Sequence, residues 1–285
     1  MPAKATPTFP LILDSEQLEP RLGEKNFLVV DLCKPEYYAS FHVPGALHLD
    51  YARLTEQGSM ARGLLPDDEH LAELFSSLGL TPETHVVAYD DEGGGKAGRL
   101  LWTLDAIGHR SFSLLNGGLQ AWHNEGHTGS SKMTAPPAKT AYEIEGKNEK
   151  TAVADTPYVL AHLDDPHTVI LDVRSANEYL GLTRTALRNG HMPGAVNLDW
   201  SFAMDFENNL KLRPKEELEI KLHRLGITPD KEVIVHCHTH HRSAFTYVVL
   251  KALGYPRVRG YAGSWSEWGN REDTPVTTGL DAIAA

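Results

Sequence analysis

Cysteine is nearly missing from this chain: its 285 residues include two, Cys33 and Cys237. Two thiols cannot build a disulfide framework, so a reducing compartment is expected, and with it a cytoplasmic location. Long apolar runs are missing as well. The stretch Met1 to Pro10 carries three prolines and no apolar core, so neither a secretory signal nor a membrane span is expected there. No later run approaches the length of a spanning helix. Positive charge is in deficit, 27 Lys and Arg against 38 Asp and Glu, for a formal net charge of −11. That balance argues against nucleic acid or an anionic membrane surface as the main partner. It leaves room for one local positive pocket that takes a small anion. What is present, 41% hydrophobic and 23% charged residues, suits a globular chain long enough for two domains.

Segments of the chain recur. His42-Val43-Pro44-Gly45-Ala46 returns as His191-Met192-Pro193-Gly194-Ala195, and Leu78 to Pro82 as Leu225 to Pro229. Val86 to Asp90 matches Val233 to Cys237, and Gly117 to Trp122 matches Gly263 to Trp268. The offsets are 149, 147, 147 and 146 residues. A near-constant period of this length means a duplicated domain rather than a solenoid. Gly129 to about Ala152 is rich in Ser, Thr, Pro, Lys and Ala and has no periodicity, which reads as a linker. The expected division is residues 1–128, a linker at 129–152, and residues 153–285.

Each copy alternates apolar strands with helices. Phe27 to Asp31 and Thr168 to Asp172 read as short strands ending in Asp. Glu69 to Gly79 and Glu216 to Gly226 read as amphipathic helices closed by Gly. The pattern predicts an α/β fold in which each copy is a parallel sheet with helices on both faces. Ligands of such folds sit at the carboxyl ends of strands.

Features that both copies carry are expected to serve the fold. His42 and His191 read as turn-fixing residues, and Trp122 and Trp268 as packing residues. Cys33, with no basic run after it, also reads as packing. The copies part where the chemistry would sit. Where the second has Cys237, the first has Asp90, followed by Asp91-Glu92-Gly93-Gly94-Gly95-Lys96-Ala97. Asp cannot act as a sulfur nucleophile, Glu92 is expected to repel anions, and Lys96-Ala97 does not complete a phosphate-binding loop. The first copy is therefore expected to have lost its chemistry and to pack against the second.

Val233 to Cys237 reads as a buried strand, and Ala244 to Gly254 as a helix. Between them lie His238-Thr239-His240-His241-Arg242-Ser243. A strand–loop–helix turn aims loop N–H groups and the positive helix end at one point, where a thiolate is favoured. Cys237 is thus the candidate nucleophile. The run of histidines, partly protonated, is expected to raise the local positive potential. It is contiguous and has no second cluster, so it lacks zinc-site spacing and no metal is expected. Four residues separate Cys237 from Arg242; Cys-based phosphatases have five, and the tighter ring suits sulfur better than phosphate.

On these features the chain resembles the two-domain rhodaneses, thiosulfate sulfurtransferases, and most closely the bacterial type with a Cys-x-Thr-His-His-Arg loop. The resemblance covers the duplication, both His-x-Pro-Gly-Ala turns, the inactive first half and the Cys loop. It implies tandem rhodanese-like domains, the first non-catalytic and the second catalytic. Cys237 would carry a persulfide, moving the sulfane sulfur of thiosulfate to cyanide or another thiophilic acceptor. His238, Thr239, His240, His241, Arg242, Ser243 and Trp200 would line the substrate pocket. No cofactor is implied beyond the covalent persulfide. The partners would be a small sulfur donor and a thiophilic acceptor, a dithiol protein among the candidates. Three alternatives stay open: a 3-mercaptopyruvate sulfurtransferase, a Cys-dependent phosphatase or arsenate reductase, and a non-catalytic persulfide-delivery module.

Overall fold

The computed structural model describes residues 9–57, 61–144 and 149–279. The first half contributes β1 (Ile12–Leu13), β2 (Phe27–Asp31), β3 (Leu47–His48), β4 (His85–Tyr89) and β5 (Phe112–Leu115). The second contributes β6 (Val153–Ala154), β7 (Thr168–Asp172), β8 (Val196–Asn197), β9 (Glu232–His236) and β10 (Val258–Tyr261). They form two parallel sheets with one shared order, β1-β5-β4-β2-β3 and β6-β10-β9-β7-β8. The helices used below are α1 (Asp68–Ser77), α2 (Gly95–Ala106), α3 (Gly118–Asn124), α4 (Lys215–Arg224), α5 (Arg242–Ala252) and α6 (Ser264–Trp268).

The strands obey a period of two, so alternate side chains enter different layers. Val30, Val86 and Ala88 of the first sheet, and Val169, Leu171, Val233 and Val235 of the second, join one apolar cluster that spans both halves. Their neighbours Val29 and Val87 pack outward with Trp122 of α3; Ile170 and Ile234 pack outward with Trp265 and Trp268 of α6. Both sheets are therefore covered on both faces, which is why their strands read as continuous apolar runs.

Helices α2 and α5 meet in the shared cluster. Leu100, Leu101 and Trp102 face Phe245, Val248 and Val249 there. Each such fully buried side chain contributes on the order of 1.5–3 kcal/mol. The two helices approach closely at Gly98, where a Cβ would lie 2.7 Å from the backbone of Phe245. This contact makes the interface a helix-on-helix core and not a loose junction.

The shared motifs hold turns. His42 Nδ1 bonds the Tyr38 carbonyl at 2.6 Å, and its ring stacks on Tyr38 at 4.0 Å. His191 repeats this on Tyr179, at 2.8 Å and 3.8 Å. The Trp122 and Trp268 indoles donate to the carbonyls of Thr128 and Pro275. Cys33 is buried in the outer apolar cluster of the first sheet. Among the described residues, no helix is long and apolar enough to cross a membrane.

Candidate active site

Cys237 follows the last residue of β9, a central strand, and so stands at the carboxyl edge of the second sheet. The loop after it is shaped by α6. Trp265 N–H donates to the Cys237 carbonyl at 3.0 Å, and Ser266 N–H to the His238 carbonyl at 2.9 Å. The amides of Cys237 and His240 both donate to Ser264 Oγ, at 3.3 and 3.2 Å, and that hydroxyl donates to the Tyr261 carbonyl. Ser264 is thus the post around which the loop turns. His240 takes a left-handed backbone, φ 53°, to close it.

Helix α5 starts at Arg242, two residues before the expected Ala244, so Arg242 and Ser243 belong to its first turn. The free N–H groups of a first turn point outward along the axis, and that of Ser243 is among the groups that favour the Cys237 thiolate. Burial alone would raise the thiol's pKa; Arg242, the hydroxyl and N–H of Ser243, and His241 outweigh it, so the thiol lies below its ordinary value. The ring of peptide donors expected around the sulfur is narrower than foreseen, because the Cys237 and His240 amides serve Ser264 instead.

Arg242 is held by Glu178, which stands on the short helix Ala176–Tyr179 and accepts from both guanidinium ends at 2.7 and 2.9 Å. The histidines separate. Burial keeps His236, His238 and His240 below the usual imidazole range, most strongly His240, so these three do not add positive charge as expected. His240 Nδ1 bonds Ser243 Oγ at 2.8 Å, and its ring meets Trp102 edge to face at 4.3 Å. His241 alone is raised: burial lowers it, but its bond to Glu92 outweighs that. Trp200 lies 6.0 Å from the His241 ring and 5.8 Å from Phe245, beside the loop. Thr239 is clamped from the first half by the Arg62–Leu64 strand, whose Gly63 presses on the Thr239 carbonyl.

The first half thus contributes more than packing. Arg99 of α2, fully buried, donates to the carbonyls of Gly63, Leu54 and Leu64 at 2.8, 3.1 and 3.0 Å, fixing the strand that clamps the loop. Burial lowers its pKa to about 10. Tyr51 meets the His241 ring at 5.5 Å. Glu92, expected to repel anions, is instead hydrogen-bonded to His241. Glu178 was visible in the sequence by the criterion that found Cys237, since the first copy has Tyr37 at the matching place. Ser264 also differs from its counterpart, Gly118, though a serine there reads as turn chemistry; Tyr51 and Arg99 stand in the half without the thiol.

The first half shows what the matching loop holds there. Asp90 Oδ1 accepts from the N–H groups of Glu92 and Gly94 at 3.0 and 2.8 Å, and Oδ2 from Ala97 N–H at 2.9 Å. A carboxylate sits in the nest of amides at the start of α2. The matching place in the second half is that of Cys237.

A family model described as the rhodanese-like domain matches residues 14–125 and again 155–271. The chain is similar to the thiosulfate sulfurtransferase of Azotobacter vinelandii, 46% identical over 94% of this chain and 97% of that protein. Similarity to the thiosulfate sulfurtransferase of Pseudomonas aeruginosa is of the same degree, 46% over 94% and 97%. It shares its fold with the anaerobic ergothioneine biosynthesis enzyme from Chlorobium limicola, at a TM-score of 0.84 and 24% identity over 95% of this chain and 70% of that one. Two matches to one domain model, and close relatives matched along nearly their whole length, establish that this chain belongs to the rhodanese family.

Proposed function

We propose that the chain is a thiosulfate sulfurtransferase whose second half, residues 153–285, is catalytic, and whose first, residues 1–128, joined by 129–152, supports it. The observation that carries this reading is the place of Cys237, at the carboxyl end of β9 and before the first turn of α5, where Glu178 holds Arg242; Arg242, Ser243 and His241 lower the thiol in spite of burial. The thiolate attacks the outer sulfur of thiosulfate. The new bond is Cys237 S–S; the bond to the sulfonate sulfur breaks, and its electron pair leaves with sulfite. The persulfide keeps one negative charge, which the Ser243 donors and α5 face. An acceptor nucleophile then attacks the outer sulfur and returns the thiolate, so the two half-reactions follow ping-pong kinetics.

Arg242, already paired with Glu178, balances the charge of the sulfur and the approaching dianion. Thr239, His238, His240 and Trp200 form the wall around that point, and His241 supplies the second cation. Both thiols are free, which fits a reducing, cytoplasmic setting. Small thiophiles or a dithiol protein serve as acceptor.

Mass spectrometry after thiosulfate treatment tests the reading. One added sulfur is expected on the wild type and on Cys33→Ser, and none on Cys237→Ser, which also loses transfer to cyanide. Transfer by Cys237→Ser at the wild-type rate would overturn it.

A further inference from the structure

Glu92 stands on the loop that has lost its chemistry, yet its side chain reaches across the interface to the reactive one. His241 Nε2 is hydrogen-bonded to Glu92 Oε1, and Lys96 Nζ lies 3.8 Å from the other carboxylate oxygen. The imidazole is also confined by its surroundings. The Tyr51 ring meets it at 5.5 Å and the Trp200 ring at 6.0 Å. Gly95 leaves the space it fills, since a Cβ there would lie 2.6 Å from Nε2. The ring is held in one place, with a carboxylate on one side and the Cys237 sulfur among its charged neighbours.

We infer that Glu92, from the half without a nucleophile, is a positioning residue for sulfur transfer: it holds His241 as an imidazolium beside the Cys237 sulfur. The inference rests on the sulfur-transfer reading above. Glu92 is the nearest counter-charge of His241; Asp90 and Cys237 act on it in the same sense. The thiolate in turn faces Arg242, Ser243 and His241 from its own half, and Arg99 and Tyr51 from the other. The signs combine simply. Each ion favours the other: the imidazolium lowers the thiol, and the thiolate raises the imidazole. Loss of the Glu92 carboxylate removes the imidazolium at a lower pH, and the thiol then ionises later.

The test is alkylation of Cys237 by iodoacetamide across pH, followed by mass in the full chain, which needs no sulfur donor. In Glu92→Gln the midpoint is expected to rise by about one pH unit, and kcat/KM for thiosulfate at neutral pH to fall about tenfold. Adding His241→Lys, a cation that needs no carboxylate, is expected to bring the midpoint back down; if it stays with the single variant, Glu92 acts through packing and the inference falls. An unchanged midpoint in folded Glu92→Gln also overturns it. Should that variant not fold, an NMR titration of the wild-type His241 ring, assigned with His241→Gln, decides: a midpoint at or below the ordinary imidazole value overturns the inference. A shifted alkylation midpoint without sulfur transfer in any variant would instead strike the proposed function.

Discussion

Arg242 and Glu178 meet in a two-point grip, Nη1 to Oε2 at 2.7 Å and Nη2 to Oε1 at 2.9 Å, at the foot of the helix that aims at Cys237. The fork is planar on both sides, a fit that a lysine ammonium cannot reproduce. Arg242→Lys keeps the charge and loses the second bond. Transfer is expected to fall about 10- to 100-fold, the worth of one charge-assisted hydrogen bond, with far-ultraviolet circular dichroism unchanged. Steady-state kcat/KM for thiosulfate checks it.

Gly63 ties the two halves at the reactive loop. Its φ is +92°, and a Cβ there would lie 2.3 Å from the Thr239 carbonyl oxygen. Gly63→Ala therefore meets both backbone strain and a collision with the loop. A loss of about 1–3 kcal/mol in urea unfolding is expected. Activity should fall further than stability, because the atom that must yield belongs to the wall around the sulfur.

The pair Asp172–Arg174, fully buried at 2.6 Å, offers a test by pH. Burial pushes the Asp172 carboxyl up, but His236 and Arg174 outweigh it, so its pKa lies below the ordinary carboxylate value. A lowered folded pKa stabilises above the unfolded value and is lost as pH falls through the folded one. Asp172→Asn should cost about 3–5 kcal/mol at neutral pH, since it strands a buried guanidinium. That cost should shrink as the pH falls toward the folded Asp172 pKa, where the wild-type carboxyl is protonated too. Urea denaturation of both proteins across pH measures the difference.

Much of this was legible in the sequence, and the reasons are particular. The duplication, the parallel sheets and Cys237 showed because they are carried by contiguous residues: apolar runs, a repeated His-x-Pro-Gly-Ala turn, and a strand end where one copy has Cys and the other Asp. The helix start at Arg242 was misplaced by two residues because His, Arg and Ser read as loop, and their partners Glu178 and Glu92 lie far away in sequence. The protonation of the histidines was misread for the same cause. Neighbours in sequence, they part in space: His240 turns into the apolar interface against Trp102, and His241 turns to a carboxylate. Burial and a distant counter-charge settle a titration, and neither is written locally.

The shared core predicts that the halves do not stand alone. Helix α5 is buried from Ser243 to Leu250, partly against α2 of the other half. A fragment of residues 153–285 would expose that face, an apolar patch beyond what a monomer carries. It is expected to bind 8-anilinonaphthalene-1-sulfonate, to aggregate in size-exclusion chromatography, and to transfer no sulfur even though it holds Cys237.

The carboxylate of Asp90, satisfied by three amides of its own loop, has a further meaning for the enzyme at work. An empty cradle of the same design would compete for every sulfate, phosphate or thiosulfate ion in reach. By keeping a permanent tenant, the first half withdraws from that competition. With its own carboxylate in place, that loop offers those amides to no other anion.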